Sequence, residues 1–278
     1  MLLDEIIFNK RQEVTALKLQ QSKLNLAKLV KKLPKTRKFK QIFKKGQLAL
    51  IAEIKKASPS AGVIKKQYNP INLAKVYARA GAAAISVLTD NKFFKGDLGH
   101  LGLVHKAVNL PILRKDFIID ESQVYEARIA GADAVLLIVR ILTDSQLVNL
   151  LALVRKLGMQ SLVEAHNADE VKRALKTEAR IIGINNRDLD TLKVNLDTTV
   201  NLLNQFPKLR GRIVVSESGI KTREDIQRLK EAGVNGVLVG ESILTSQEAK
   251  AKVKELLAQG WLGLWQVAIL LGGYGKRA

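Results

Sequence analysis

Residues 130–165, AGADAVLLIVRILTDSQLVNLLALVRKLGMQSLVEA, contain one complete unit of the pattern that decides the fold. Two apolar runs of strand length stand in it, AVLLIV at 134–139 and QSLVEA at 160–165. They show little strict alternation of polar and apolar residues, which is typical of parallel strands that are buried on both faces. The stretch therefore predicts two parallel strands and a connection between them.

The connecting segment has the features of a helix with defined ends. Thr143 and Gln146 stand in a capping-box pattern at its start, and Gly158 stands where a C′ glycine ends a helix. Apolar residues fall on one helical stripe, at Leu147, Leu150, Leu151, Val154 and Leu157. This spacing predicts a helix over 143–157 and so completes a strand–helix–strand unit.

The same unit recurs along the chain. A junction of the type AGAAAI (80–85) precedes a strand again at 130–135 and 232–237, and its glycine supplies the left-handed turn that ends a helix. Eight units predict a single (β/α)8 TIM barrel of the α/β class. A doubly wound open sheet is the alternative, but no glycine-rich fingerprint follows the first strand. The eight apolar runs are LALIAEI (48–54), AAISVL (83–88), PILRKD (111–116), AVLLIV (134–139), QSLVEA (160–165), IIGIN (181–185), RIVVSE (212–217) and VNGVLVG (234–240).

These strands divide the chain into three parts. Residues 1–46 form a basic N-terminal helical extension, which we expect to pack across one end of the barrel. Residues 47–258 form the barrel, and residues 259–278 form an apolar C-terminal tail whose role the sequence leaves open.

The charge of the chain is unusually positive. Its net charge is +20, and residues 1–46 hold 13 Lys and Arg residues against three acidic residues. Because such a field attracts polyanions, a nucleic-acid-binding protein with a basic arm is an alternative function. The extension has an apolar helical stripe and few aromatic residues, which argues against specific nucleic-acid binding. The reason for the excess of lysine stays open.

The composition excludes several kinds of site. The chain has no cysteine, which rules out disulfides, thiolate metal sites and a cysteine nucleophile. Its three histidines, His100, His105 and His166, do not have the spacing of a metal motif, so we expect no metal site. The most apolar stretch, 261–273, is shorter than the roughly 20 residues of a bilayer span, and no signal peptide is visible. We therefore expect a cytoplasmic protein without a transmembrane segment.

Polar residues follow the predicted strands at the ends where a TIM barrel carries its active site. Glu53 and Lys55 end the first strand, Lys115 ends the third, and Glu164 ends the fifth. Because the carboxyl ends of all eight strands meet at one rim, these side chains are expected to lie together. Lysines and carboxylates in one partly buried mouth shift each other's pKa values, as acid–base chemistry requires. Further polar strand ends are Asn185, Arg187 and Ser218.

Two Gly/Ser turns predict a phosphate site. VSESGI (215–220) and LVGES (238–242) follow the seventh and eighth strands and open helices. Backbone N–H groups in such turns can face an anion, and these two loops of TIM barrels frequently bind phosphate. The loop at 58–62 can add a hydroxyl group. The expected ligand is a small phosphorylated substrate.

With these residues the sequence resembles the indole-3-glycerol phosphate synthase family of tryptophan biosynthesis. The resemblance extends over about residues 2–258, and its motifs stand in order on seven of the eight strands. AEIKKASPS and LRKDFI together are specific to that family among phosphate-binding barrels. The motifs are IAEIKKASPSAG (51–62), VLTDNKFFKG (87–96), PILRKDFIID (111–120), SLVEA (161–165), GINNRDL (183–189), VSESGI (215–220) and LVGES (238–242).

The resemblance implies a carboxy-lyase that uses no metal or organic cofactor. Its reaction converts 1-(o-carboxyphenylamino)-1-deoxyribulose 5-phosphate to indole-3-glycerol phosphate, with release of carbon dioxide and water. Lys115 is implied as the general acid at the ketone oxygen, and Lys55 as the partner of the substrate carboxylate or the acid of the dehydration. Glu164 is implied as a general base or as the stabiliser of a cationic intermediate. Glu53 and Asn185, with Ser218 nearby, would position the hydroxyls and these catalytic groups.

The same resemblance implies the substrate-binding residues. Phe94 and Phe117 match the apolar wall around the anthranilate ring, and Arg187 lies at the same rim. Lys56 is also expected to bind substrate, although many relatives carry an arginine there, which would offer a bidentate donor. The implied phosphate site comprises Ser58, Gly219, Gly240 and Glu241.

Several alternatives stay open at this point. A phosphoribosylanthranilate isomerase-like barrel of the same pathway is the nearest one. That family, however, has no counterparts of Lys55, Lys115 and Glu164 and no N-terminal extension. The tail at 259–278 matches nothing expected of the family and suggests a docking segment, a dimer contact, a membrane-associated helix or an altered reading frame. The oligomeric state and an association with other tryptophan-pathway enzymes are also open.

Overall fold

Eight parallel strands form a closed barrel in the computed structural model, which describes residues 2–21, 25–64 and 68–258. The first strand pairs with both the second and the eighth, and this pairing closes the sheet. The predicted TIM barrel is therefore confirmed, and each observed strand begins and ends within two residues of its predicted bounds. The strands are β1 (Ala49–Ile54), β2 (Ala84–Leu88), β3 (Ile112–Lys115), β4 (Ala134–Ile138), β5 (Gln160–Ala165), β6 (Ile181–Asn185), β7 (Ile213–Glu217) and β8 (Gly236–Val239).

Helices surround the barrel. A short antiparallel hairpin, Ala57–Ser58 with Gly62–Val63, stands in the connection that follows β1. Short 3-10 helices occur at Phe39–Ile42, Val139–Ile141 and Pro207–Gly211. The α-helices are α1 (Leu2–Gln21), α2 (Leu26–Lys31), α3 (Pro70–Ala80), α4 (Gly99–Ala107), α5 (Glu121–Ile129), α6 (Asp144–Lys156), α7 (Ala168–Leu175), α8 (Asp197–Gln205), α9 (Arg223–Glu231), α10 (Glu241–Leu244) and α11 (Ala249–Leu257).

Helix α6 has the ends that its sequence predicts. The Gln146 N–H donates to Thr143 Oγ1 at 3.2 Å, and the Thr143 N–H donates to Gln146 Oε1 at 2.9 Å, so the capping box is present. Gly158 follows the helix with a φ of +79°, in the left-handed region that glycine tolerates without steric cost. The buried stripe of the helix contains Leu147, Leu150, Leu153 and Val154.

Alternate residues of each strand separate into two apolar clusters, because successive side chains of a strand point to opposite faces. One cluster joins the strands to the surrounding helices, and Leu50 and Ile112 belong to it. The other fills the barrel interior and includes Ile51, Leu113 and Leu162. A side chain two residues beyond the last interior residue of a strand therefore points toward the carboxyl-end mouth.

The N-terminal extension contacts both ends of the barrel, where the sequence suggested only one. Leu3 and Ile6 of α1 line the cavity at the carboxyl end of the strands. After α2, Phe39 is fully buried in the barrel's interior cluster together with Ile51, Leu162 and other strand residues. Its ring packs edge to face on Phe43, with 5.9 Å between the ring centroids.

Arg37 fixes this extension to the barrel. Its backbone N–H donates to Asp133 Oδ1 at 2.7 Å, and its guanidinium donates to the carbonyls of Leu110 and His105, both at 2.8 Å. At least part of the positive charge of the extension thus serves packing.

Within the described ranges, no helix is long and apolar enough to cross a bilayer. The tail at 259–278, for which the sequence left several roles open, lies outside the described residues.

Candidate active site

Four ionisable side chains reach the barrel mouth because each stands two residues beyond an interior apolar residue. Glu53 follows Ile51 on β1 in this way, and Lys115 follows Leu113 on β3. By the same step, Glu164 follows Leu162 on β5, and Glu217 follows Val215 on β7. The strand period of two thus places three carboxyl groups and one lysine beside one another at the end of an apolar barrel.

These side chains line a cavity of about 1240 Å³ at the mouth. Apolar side chains of Leu2, Leu3 and Ile6 from α1 border the same space. Lys56, which was expected to bind substrate, does not line it, whereas its neighbour Lys55 does. The expected site residues that line the cavity are Glu53, Lys55, Ser58, Phe94, Lys115, Phe117, Glu164, Asn185, Arg187, Ser218, Gly219, Gly240 and Glu241.

Lys115 lies between two carboxyl groups. Its Nζ is 2.9 Å from Glu164 Oε2 and 3.5 Å from Glu217 Oε2. Burial alone would lower the pKa of Lys115, but Glu164, Glu217 and Glu53 outweigh it and raise this pKa above its ordinary value. The lysine is therefore protonated at neutral pH and carries a proton into the cavity.

Glu164 and Glu217 have pKa values that the site drives apart. Burial favours the neutral form of both, but Lys115 and His166 hold the pKa of Glu164 below its ordinary range. Burial and the negative charge of Glu164 raise the pKa of Glu217 to about 8. The pair is thus one ionised and one protonated carboxyl group near neutral pH, the arrangement that supplies a base and an acid in the same site.

Gly183 leaves the space that the side chain of Glu217 occupies. A Cβ atom at this position of β6 would overlap Glu217 Oε1. A Cβ atom at Gly240, after β8, would similarly come within 2.5 Å of Glu53 Oε1. The carboxyl groups of Glu217 and Glu53 therefore each need a glycine beside them, one in β6 and one just after β8.

Lys55 and Glu53 form a second ion pair at the mouth. Lys55 Nζ lies 2.8 Å from Glu53 Oε1, and both side chains are largely buried. The pair gives the site a second cation. Lysine has a flexible four-carbon stem, so Lys55 can exchange Glu53 for an anionic group of a ligand.

A third contact connects Glu164 to the loop after β5. His166 Nε2 lies 3.2 Å from Glu164 Oε1, and His166 Nδ1 lies 2.9 Å from Glu170 Oε2. Neither His166 nor Glu217 was assigned a role from the sequence. The period of two in strands β5 and β7 is the signal that could have found both, since His166 and Glu217 each continue the inward-facing series of their strand.

The loops after β7 and β8, where the sequence predicts an anion site, both line the cavity. Ser218 and Gly219 have φ values of +67° and +82° in the turn that follows β7. Ser242 Oγ donates to the Ile220 carbonyl at 2.8 Å and so joins the two loops. Glu241 faces Arg187, whose Nη2 lies 3.5 Å from Glu241 Oε2. A phosphate here would meet the backbone N–H groups of these turns and not the Glu241 carboxylate, which repels it.

The remaining predicted residues border the cavity from two sides. Asn185 Oδ1 accepts a hydrogen bond from the Arg187 N–H at 3.0 Å, and the Arg187 guanidinium donates to the Leu192 carbonyl at 3.1 Å. The rings of Phe94 and Phe117 lie with their centroids 6.1 Å apart. The lining of the mouth thus combines polar residues, such as Asn185 and Arg187, with the aromatic pair Phe94 and Phe117.

Comparisons with known proteins agree on one family. The family model for indole-3-glycerol phosphate synthase matches residues 3–256. The curated indole-3-glycerol phosphate synthase of Desulforamulus reducens is 48% identical over 264 residues, which is 95% of this chain and 99% of that protein. The one from Chloroherpeton thalassium is 47% identical over 93% of this chain and 98% of that protein.

A solved structure matches in fold alone. A crystal structure of 3-hexulose-6-phosphate synthase aligns with a TM-score of 0.57 and 18% sequence identity, over 75% of this chain and 98% of that chain. At this identity the likeness supports the barrel architecture and says nothing of the substrate.

Proposed function

The chain belongs to the indole-3-glycerol phosphate synthase family, and we propose how the residues of its barrel mouth carry out the reaction of that family. The enzyme is a carboxy-lyase of tryptophan biosynthesis. It converts 1-(o-carboxyphenylamino)-1-deoxyribulose 5-phosphate to indole-3-glycerol phosphate, with loss of carbon dioxide and water. This family membership favours the main interpretation of the sequence over an isomerase-like barrel or a nucleic-acid-binding protein.

Lys115 is the general acid of ring closure. The ring carbon that carries the carboxylate attacks the ketone carbon, and the ketone oxygen gains a proton as the new C–C bond forms. Lys115 is protonated, buried and aimed into the cavity. The developing alkoxide is a stronger base than the lysine amine, so the raised pKa of Lys115 does not prevent the transfer.

Lys55 pairs with the substrate carboxylate. A lysine ammonium that already holds the carboxylate of Glu53 at 2.8 Å is suited to hold another. Loss of carbon dioxide then leaves its bonding electrons in the ring, which becomes aromatic again. Once the carboxylate has left, Lys55 is a free ammonium near the new hydroxyl group and can act as the acid of the dehydration.

Glu164 is the base of the dehydration and faces the positive charge that develops on the nitrogen during ring closure. Water leaves when the hydroxyl takes a proton and the neighbouring ring carbon loses one, which forms the double bond of the indole. The ionised state of Glu164 suits this removal of a proton. Glu217 retains the proton of the pair, so that the two carboxyl groups do not compete for the role.

The other residues hold the substrate. Glu53 and Asn185 bind hydroxyl groups, with Ser218 beside them, and Phe94 and Phe117 pack on the anthranilate ring. The phosphate lies at Ser58 and at the backbone of the turns that contain Gly219 and Gly240, while Arg187 adds positive charge at the rim. The cavity volume of about 1240 Å³ has room for a ligand of this size.

The observation that carries this assignment is the position of Lys115 Nζ between Glu164 and Glu217. Turnover of the substrate in a buffer that contains a chelator, followed by indole fluorescence, tests it. Wild-type enzyme is expected to form product, and Lys115→Ala is expected to lose almost all turnover. The surface variant Lys156→Ala is the control and should match the wild type. Turnover that survives Lys115→Ala would contradict the assignment of the acid.

We also propose a cytoplasmic location. The substrate carries a phosphate and a carboxylate, and because charged groups are costly to move into an apolar medium, it stays in the compartment in which it forms. Fractionation of cells with an antibody to the chain is the direct measurement.

A further inference from the structure

His166 stands at the junction between the proposed base and the helix that follows it. Its Nε2 lies 3.2 Å from Glu164 Oε1, while the other oxygen of Glu164 lies 2.9 Å from Lys115 Nζ. The two oxygens of the proposed base therefore face two different cations or donors. A carboxylate with a hydrogen-bonded lysine at one oxygen and an imidazole at ion-pair distance from the other is restricted in orientation.

Glu170 anchors the opposite side of the imidazole. Glu170 Oε2 is 2.9 Å from His166 Nδ1 and also accepts the His166 backbone N–H at 2.8 Å. Its second oxygen accepts a hydrogen bond from Asn167 Nδ2 at 2.9 Å, and Asn167 caps the N-terminus of α7. Because Glu170 is held by the helix cap, the ring of His166 is held by the secondary structure and not by the substrate.

The charges around His166 favour its protonated form. Burial alone would lower the pKa of His166, but Glu164 and Glu170 raise it to about 9. Further out, Lys115 on β3 and Glu217 on β7 face Glu164, and Arg140 after β4 faces Glu170. With these groups in place, the imidazole is protonated: Nδ1 hydrogen-bonds Glu170, and Nε2 lies within ion-pair distance of Glu164 without a hydrogen bond to it.

We propose that His166 is a positioning residue, whose imidazolium is held by Glu170 and keeps Glu164 ionised and oriented toward the reacting atoms. It touches Glu164 and does not line the cavity, so it acts on the reaction only through the base. This inference rests on the proposed function of Glu164. It adds a three-residue chain, Glu170, His166 and Glu164, that sets which carboxyl group of the mouth keeps the proton.

Nuclear magnetic resonance of histidine-labelled protein tests the charge without any turnover. The chain has three histidines, so each imidazole signal is assigned by a single substitution. The signal lost in His166→Gln is expected to titrate well above the ordinary histidine pKa, near the value of about 9. His100 and His105 are expected to titrate below the ordinary histidine pKa, because burial lowers the pKa of both. A His166 signal that titrates at or below its ordinary value would overturn the proposal.

Kinetics of His166→Ala and His166→Gln test the effect on the base. We expect kcat to fall about ten- to a hundredfold in His166→Ala with little change in KM, since the cation beside Glu164 Oε1 is lost. His166→Gln keeps a donor near Glu164 and should lose less. In both variants the acidic limb of the pH profile should move to higher pH, because the pKa of Glu164 rises when the cation is removed.

The controls separate a positioning role from a structural one. Glu170→Gln leaves the imidazole in place but removes one of the charges that keep it protonated, so it should move the acidic limb in the same direction by a smaller amount. His105→Gln, at the opposite end of the barrel near Arg37, should leave the profile unchanged. A loss of kcat in His166→Ala with an unmoved pH profile would overturn the proposal.

Two sets of variants distinguish the positioning role of His166 from the catalytic roles of Lys115 and Glu164. If Lys115→Ala and Glu164→Gln stay active, the assignment of the catalytic groups is wrong whatever His166 does. If those variants are inactive and His166→Ala behaves as the wild type, only the positioning role is wrong.

Discussion

Lys10 Nζ of α1 lies 2.9 Å from Asp116 Oδ1, and Asp116 is the residue that follows the proposed acid Lys115. The same ammonium is 3.1 Å from Asp90 Oδ2, after β2, and 2.6 Å from Glu13 on its own helix. Lys10 is 2% exposed and occupies the buried stripe of α1 with Leu3, Ile6 and Val14. A single buried lysine thus connects the N-terminal helix to the ends of two neighbouring strands of the mouth.

The charges of this network shift each other's pKa values. Burial would lower the pKa of Lys10, but Asp116, Glu13 and Asp90 raise it above its ordinary value. Burial would raise the pKa of Asp116, but Arg114 and Lys10 outweigh it and lower this pKa to about 2. Since Lys10, Asp116 and Asp90 are buried together, removing one of them leaves the others uncompensated.

Lys10→Met is therefore expected to destabilise the protein and to lower activity. Two buried carboxylates lose a common partner, which typically costs about 3–5 kcal/mol in free energy of unfolding. Urea unfolding gives the stability, and turnover of the folded variant gives the effect on the mouth. The matched control is Lys18→Met on the same helix, whose pair with Asp120 is partly exposed and should contribute less than about 1 kcal/mol. Equal effects of the two variants would contradict a special role of Lys10.

The proton on Glu217 gives a prediction for the pH profile. Its pKa of about 8 means that the protonated form is lost as pH rises through that value, so kcat/KM of the wild type should fall there. Since Glu164 and Glu217 share one proton, this limb reports on both carboxyl groups.

Glu217→Gln mimics the protonated form and should abolish the fall near pH 8. We expect it to keep kcat/KM within about tenfold of the wild type at pH 7, since the hydrogen-bonding group that it replaces is already neutral. Glu164→Gln should be nearly inactive at every pH. If Glu217→Gln is inactive as well, Glu217 gives up its proton during the reaction and is itself an acid of the mechanism.

Most of the fold followed from the sequence because local signals and the barrel agree. The capping box of Thr143 and Gln146 and the strand at 160–165 are local patterns, and the structure has both at the predicted residues. The same period of two brought Glu53, Lys115 and Glu164 to one rim, because each strand end belongs to a closed barrel.

The interactions between distant strands could not be predicted in this way. The raised pKa of Glu217 depends on burial and on Glu164 two strands away, and the space for its side chain depends on Gly183 of the strand between them. Lys10 belongs to a basic segment, and nothing in the composition of that segment distinguishes Lys10 from exposed lysines such as Lys18; only the buried helical stripe on which Lys10 falls does so.

Gly183→Ala tests the fit between β6 and Glu217. The added methyl group overlaps Glu217 Oε1, so the carboxyl group must shift, and we expect Lys115, which is 3.5 Å from Glu217 Oε2, to shift with it. Lys115 is the proposed acid, and a displacement of about 1 Å at a reacting group can cost about a hundredfold in rate. We expect a loss of kcat of this order while circular dichroism stays like that of the wild type. Gly211→Ala, where a Cβ atom would meet nothing within 4 Å, is the control and should keep full activity.

Phe39→Ala tests how the extension closes the other end of the barrel. Phe39 is fully buried against interior residues of several strands and against Phe43, so truncation leaves a cavity that the rigid barrel cannot fill. Truncation of a buried phenylalanine typically costs about 3–5 kcal/mol in free energy of unfolding. Phe8→Ala removes a ring that is 64% exposed on α1 and should change stability by no more than about 0.5 kcal/mol. Urea titration of the two variants measures the difference. A small effect of Phe39→Ala would mean that the barrel is stable without this plug, and that the extension is needed only for its contacts at the active-site mouth.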